Sequence, residues 1–315
     1  MWEAVSLNSF PFLYLTKSIA YHDLSLFAYS TSFKFDLAMT KLFFTKMSGA
    51  GNDFVVLDKN QNVGFQVTDD IVRRICERRN GIGSDGLITI EDSASNDFVM
   101  NYYNADGSTG SLCANGARCA LLFASKTGRI EGKSANFLSN DVEYKGEIIS
   151  NSEVKFYLNP PKKIKYNFKV KAGGRLINAH YADTGSPHVV IDIEESEGFL
   201  SSLESVPVES LGSEIRYLPE FSPGGTNVNF IDVQGKIIYI RTYERGVEAE
   251  TLACGTGAVA AALISYVTKK NQPPIELITK GNEKLLVNFD VENSKVKNLS
   301  LTGPAKIVFT GELII

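Results

Sequence analysis

Two stretches of this chain place a thiol where it could act as an acid or a base. Cys113-Ala-Asn-Gly116-Ala-Arg-Cys-Ala and Cys254-Gly-Thr-Gly257-Ala-Val-Ala-Ala each set a cysteine just ahead of a glycine turn and an Ala/Leu-rich run that reads as helix. A sulfur at a helix start lies among unpaired backbone N–H groups and the positive end of the helix dipole. That setting favours thiolate and can also hold a substrate anion. Removing the α-hydrogen of an amino acid needs a positioned base and a stabilised carbanion-like state, and inversion adds a proton donor on the opposite face. One thiolate and one thiol across a shared pocket meet both demands. They exchange roles with substrate handedness and titrate as a coupled pair. The amides around Ala114-Asn115 and Gly255-Thr256 are placed to hold an α-carboxylate. Cys76 and Cys119 fall inside predicted helices and read as core residues.

The elements that must position these groups follow from periodicity. Residues 41–47 and 54–58 are apolar or alternating and flank Ser48-Gly-Ala-Gly-Asn52-Asp53, which predicts strand, glycine loop, strand. A Thr/Asp start and the spacing of Ile71, Val72, Ile75 and Cys76 predict a helix over 68–79, stopped by Asn80-Gly81. Strands are expected at 87–90 and 98–103, a polar loop at 104–112, a helix at 114–126 and short strands over 134–158. Gly81-Ile-Gly-Ser-Asp-Gly86 satisfies GxGxxG, but a helix precedes it and a strand follows. That is the reverse of a dinucleotide site.

The second half then repeats the first. Gly185-Ser-Pro-His188-Val-Val-Ile-Asp192 mirrors Gly51-Asn-Asp-Phe54-Val-Val-Leu-Asp58 at an offset of 134 residues, and the cysteine segments are offset by 141. Two matches in one order at nearly one offset indicate a duplicated domain. The expected fold is α+β: two pseudo-symmetric domains, each a mainly antiparallel, barrel-like sheet around a central helix, with the site in the cleft between them. Pro160-Pro161 and the lysine-rich stretch to Lys171 mark the boundary. The expected domains are 40–158, completed by the strand-like tail 303–315, and 159–302. Residues 1–39 are expected to be an extension outside the fold, with the functional chain beginning near Met39.

Composition bounds the function classes. A chain of 315 residues with 43% hydrophobic content can bury a large core, and its net charge of −4 is dispersed, without the basic patch of a nucleic-acid binder. No apolar run reaches the eighteen residues of a membrane span. Four cysteines and three histidines, without a CxxC pair, give neither a disulfide framework nor a structural zinc site. A metal is not expected, and a reducing cytoplasm is the expected compartment.

The segments KMSGAGNDFVVLD (46–58), RRNGIGSDGLI (78–88), NADGSTGSLCANGARCA (104–120), GSPHVV (185–190), GTNVNF (225–230) and YERGVEAETLACGTGAVAAA (243–262) together resemble diaminopimelate epimerase, in that family's order. GPAKIVFTGEL resembles its terminal strand. The resemblance implies a PLP-independent enzyme with no cofactor, two pseudo-symmetric α+β domains and a homodimer. It implies interconversion of LL- and meso-diaminopimelate for lysine and peptidoglycan synthesis, with Cys113 and Cys254 as the acid/base pair. Asn52, Asn104, Asn227, Glu244 and Arg245 match substrate-holding positions. Arg245 suits a distal carboxylate, and Glu244 suits an ammonium group. By themselves Glu244 and Arg245 would read as a solvated pair. His188 matches a histidine beside the reacting carbon, and a satisfied structural histidine is the equal alternative. Ala114, Asn115, Gly116, Ser186, Gly255 and Thr256 complete the expected substrate-contacting set.

Three departures from the family pattern are visible. Ala114 stands where a glycine is usual, Ser186 where asparagine is frequent, and Ser48 where histidine is common. They leave two rival readings: a racemase of another amino acid, like those of proline or histidine, and an inactive homologue that only binds an amino acid. Turnover of a monocarboxylic amino acid alone would favour the first, and tight binding without α-proton exchange the second.

Overall fold

The computed structural model describes residues 41–109, 112–196 and 198–315, so the expected extension at 1–39 lies outside the described residues. In the first half β1 (Lys41–Gly49), β2 (Asn52–Asp58), α1 (Asp69–Cys76), β3 (Gly86–Glu91), β4 (Phe98–Asn104), α2 (Ala114–Lys126), β5 (Ser134–Ser139), β6 (Val142–Ile148) and β7 (Glu153–Tyr157) follow in order. The second half runs β8 (Lys163–Ala172), β9 (Arg175–Asp183), β10 (Pro187–Asp192), α3 (Val208–Arg216), β11 (Asn227–Gln234), β12 (Ile237–Glu244) and β13 (Ala249–Thr251). It continues with α4 (Gly255–Thr268), β14 (Ile275–Ile278), β15 (Lys284–Glu292) and β16 (Lys295–Pro304), and β17 (Lys306–Ile314) ends the chain.

The pairing repeats as the sequence does. The series β17–β1–β2 is antiparallel, β2–β3 parallel, β3–β4 antiparallel, β4–β5 parallel and β5–β6–β7 antiparallel. The series β8–β9–β10, β10–β11, β11–β12, β12–β14 and β14–β15–β16 has the same senses in the same order. An antiparallel pairing of β7 with β16 joins the two sheets. Each parallel step needs a crossover, and the four helices supply the four crossovers. Helix α2 is packed within the first series and α4 within the second, while α1 and α3 lie on outer faces. This is the expected two-domain α+β architecture, with mainly antiparallel sheets.

Local chemistry explains the elements. Helices α2 and α4 are buried on nearly every side, so small and apolar residues dominate both, with Asn115 and Arg118 as buried polar exceptions in α2, and small alanines let the sheet close over them. Helix α1 buries only Val72, Ile75 and Cys76, and Thr68 caps it by accepting from the Ile71 amide. The β1–β2 connection is shorter than the predicted glycine loop. It is a two-residue turn, Ala50-Gly51, with φ of 53° and 95°, the primed geometry that matches strand twist.

One expectation needs correction. Helix α1 ends at Cys76 rather than 79, because the chain folds back and the amides of Ile82, Gly83 and Ser84 bond to the carbonyls of Ile75 and Cys76. Gly81 makes that return possible: a Cβ there would lie 2.1 Å from the Arg74 carbonyl oxygen. The lysine-rich stretch that follows Pro160-Pro161 forms strand β8, antiparallel to β9.

Candidate active site

Cys113 and Cys254 occupy the N-cap positions of α2 and α4, with extended backbone and no side-chain cap bond. The helix starts meet. A Cβ on Gly255 would stand 3.0 Å from both Ala114 Cβ and Asn115 Oδ1, so glycine here lets the two first turns touch. Ala114 tolerates its methyl because it is the first residue of a right-handed helix facing that glycine. Both cysteines, all four thiols being free, line one cleft of about 790 Å³.

Asn52, Asn104, Ala114, Asn115, Ser186, Asn227, Glu244, Arg245, Gly255 and Thr256 line the same cleft. Gly116 does not; it faces Ile88 and Met100 inside the first sheet. The Gly255 and Thr256 amides, orphaned at the start of α4, remain at the cleft for an anion.

The duplication reaches the side chains. Asn52, beside the β1–β2 turn, accepts from the Asn115 amide at 2.6 Å, while Ser186, beside the β9–β10 turn, lies 3.2 Å from the Thr256 hydroxyl. Serine thus makes in the second half the hairpin-to-helix contact that an asparagine makes in the first. Asn115 also donates to the Ala253 carbonyl at 3.4 Å, tying the first helix start to the residue before Cys254.

His188 is fully buried and reaches the cleft only through these hydroxyls. Its Nε2 lies 2.9 Å from both Ser186 Oγ and Thr256 Oγ1. Asn229 fixes its tautomer. The Asn229 amide nitrogen donates to the Val189 carbonyl and lies 3.2 Å from His188 Nδ1, while its oxygen accepts from Thr242. Nδ1 is therefore the acceptor and Nε2 carries the proton. Burial, and then the Arg245 charge, push the imidazole down to about 3, so it is neutral at physiological pH. Thr256 Oγ1 stands 3.6 Å from Cys254 Sγ and passes this hydrogen-bond order to the sulfur.

Sequence reasoning missed the residues that hold the holders. Asp85 accepts from Asn52 and pairs with Arg78, which also pairs with Asp53. Burial works to raise the Asp53 carboxyl, but hydrogen bonds from Arg78 and Lys46 hold it down at about 2. Asn227 donates to the Pro187 carbonyl and accepts from the Arg245 amide, so it orients the arginine's backbone. The signal was present, since Asp85 and Asn229 sit inside two of the recognised segments, but their role needed the third dimension. Arg245 makes one long bond, 3.5 Å to the Gly224 carbonyl, and among the described residues its guanidinium has no carboxylate within ion-pair distance.

The electrostatics centre on Glu244, which accepts from Thr251 at 2.8 Å and acts on both sulfurs. Burial pushes its carboxyl up to about 7, against the Thr251 bond and with a smaller push from Asp85. Burial also raises both thiols, Cys113 to about 11 and Cys254 further. A carboxyl raised from 4.5 to about 7 binds its proton more tightly in the folded chain. Its stabilising contribution is full below 4.5 and is lost as pH rises to about 7, on the order of 3 kcal/mol. We expect the melting temperature of ligand-free Glu244→Gln to gain on wild type as pH rises from 4.5 to 8. A difference between the two proteins that stays flat across that range refutes the assignment.

Comparison with known proteins gives the same picture. The family model described as diaminopimelate epimerase matches residues 44–164 and 180–308. The diaminopimelate epimerase of Chlorobaculum tepidum is 41% identical over 272 residues, covering 85% of this chain and 100% of the relative. Among solved structures, a PhzF-family phenazine biosynthesis protein of Bacillus anthracis superposes with a TM-score of 0.68 at 15% identity, over 88% of this chain and 100% of its own. A probable proline racemase from Agrobacterium radiobacter does so with a TM-score of 0.66 at 12% identity, over 87% and 93%. These two structures share the fold.

Proposed function

The chain belongs to the diaminopimelate epimerase family of isomerases, and from that premise we propose that it interconverts LL- and meso-2,6-diaminopimelate by two-base proton transfer in lysine and peptidoglycan synthesis. One observation carries the mechanism: a cysteine from each repeat stands at a helix start lining the same cleft. In this reading the α-carboxylate rests on the Gly255 and Thr256 amides, which also accept the negative charge that develops as the α-proton leaves. The substrate ammonium lies against Glu244, and its positive charge beside the sulfurs eases ionisation of a thiol that burial otherwise keeps protonated. One sulfur takes the proton while the other delivers its own to the opposite face, so the pair ends with roles exchanged and needs no cofactor. Arg245, held by Asn227, takes the distal carboxylate.

An arginine in the cleft with no carboxylate of the described residues within ion-pair distance favours a dicarboxylic substrate over the monocarboxylic racemase reading. The domain division near 159, with 303–315 returning to the first half, belongs to the same proposal. The decisive assay supplies LL- and meso-diaminopimelate in deuterated water to the purified protein. Deuterium at the α-carbon with a changed isomer ratio is the expected result. Binding without exchange would leave only the inactive-homologue reading.

A further inference from the structure

The two cysteine helices superimpose in sequence, and one position breaks the match in charge. Arg118 occupies the place in α2 that Val259 occupies in α4, five residues beyond each cysteine. Both side chains are fully buried. A valine serves the packing of one central helix, so packing alone does not call for an arginine in the other.

The arginine is also poorly compensated. Its guanidinium donates to Asn115 Oδ1 at 2.8 Å, to the Ala114 carbonyl at 3.4 Å and to the Pro304 carbonyl at 3.5 Å, all neutral acceptors. Among the described residues no carboxylate lies within ion-pair distance of it. Gly303 makes room, since a Cβ there would be 3.3 Å from the guanidinium carbon. A buried cation is costly unless an anion stands near it. The groups within electrostatic reach that can become anions are Cys113, Cys119 and Glu283. Cys119 is sealed against β1, 2.9 Å from where a Gly49 Cβ would be, and Glu283 is partly exposed at the β14–β15 turn.

We propose that Arg118 is a positioning residue, a buried counter-charge that makes Cys113 the first of the two catalytic thiols to ionise. This rests on the two-base reading and names which sulfur begins as the base. The bonds to Asn115 and Ala114 hold the charge against the first turn of α2, the turn that Cys113 precedes as N-cap. Cys254 has the Thr256 hydroxyl at 3.6 Å but no cation at the matching place, where Val259 stands. The other charged or titratable groups facing the pair do not reverse this order. Glu244 opposes ionisation of both sulfurs, and Tyr102, whose phenol is raised chiefly by burial, stays neutral beside Cys113. Burial leaves Cys113 below Cys254, in agreement.

The test reads the thiols rather than turnover. Iodoacetamide labelling of each cysteine, followed by peptide mass spectrometry across pH, gives an apparent pKa for Cys113 and for Cys254 in the full-length protein. In wild type Cys113 is expected to titrate below Cys254. In Arg118→Met the Cys113 value is expected to rise by about one unit, a ten-fold loss of labelling at neutral pH, with Cys254 unmoved and Arg118→Lys restoring it. A folded Arg118→Met with unchanged Cys113 titration overturns the proposal, as does a rise reproduced by Glu283→Gln. If Arg118→Met does not fold, the wild-type order decides: Cys254 titrating first overturns the proposal, Cys113 first upholds it. Failure of the epimerase reading shows separately, as absent α-deuterium exchange in a protein whose cysteines still titrate in the expected order.

Discussion

Replacing either Cys113 or Cys254 by alanine is expected to lower epimerisation of diaminopimelate by about 10⁴-fold or more, the upper end of what one proton-transfer group contributes. The fold should survive, because each cysteine caps its helix without a side-chain bond and loses only a sulfur. The two losses should differ in kind. A variant with one sulfur keeps a base on one face of the carbon and has no donor on the other. It can remove the α-proton from the isomer of matching hand and return a solvent deuteron to the same face. Cys113→Ala and Cys254→Ala should therefore each exchange one stereoisomer slowly without inverting it, and the preferred isomers should be opposite. Nuclear magnetic resonance of the recovered substrate reads both outcomes. Inversion at wild-type rate by either variant, or the same isomer preferred by both, would refute a two-base site.

The parts of this arrangement that sequence revealed are those in which chain order and space coincide. The Cys-x-x-Gly starts of α2 and α4 were legible because capping, turn and helix lie within a few residues, and the 114–126 helix was located to its end residues. The duplication was legible because it is a repeat of local patterns, and the pairing of the strands follows it. The end of α1 was misplaced because a return of the chain, through Gly81, stops that helix rather than the local Asn-Gly signal. Asp85, Asn229 and Arg118 were passed over for a related reason. Each is an ordinary polar residue in its own segment, and its meaning comes from partners far away in sequence: Asn52, His188 and the Pro304 carbonyl. His188 itself, two residues past Ser186, could be read as structural or functional. The structure makes it both buried and connected, acting on the cleft through Thr256.

The choice of substrate should depend on Arg245 as sharply as the reaction depends on the sulfurs. Its guanidinium lines the cleft on a backbone tied by Asn227, with no carboxylate of the described residues within ion-pair distance. Truncation strands the partner carboxylate of a bound dicarboxylate in a partly desolvated cleft, a loss of about 3–5 kcal/mol for a buried pair. Arg245→Ala is thus expected to lower kcat/KM for diaminopimelate by about 10²–10⁴-fold, and Arg245→Lys should recover only part, since an ammonium cannot bond both carboxylate oxygens in one plane. The imidazole of His188 should also feel the change, because Arg245 is the second cause of its depression after burial. The separating measurement is α-deuterium exchange with a monocarboxylic amino acid that lacks the distal end. That slow background exchange should stay within a few-fold of wild type in Arg245→Ala, because both sulfurs and both helix starts remain and His188 feels the change only at one remove. Loss of both activities together would place Arg245 at the reacting carbon instead. Retention of diaminopimelate turnover within a few-fold would move the distal carboxylate to another part of the cleft, Arg216 being the next cation along it, though Glu248 already pairs with that one.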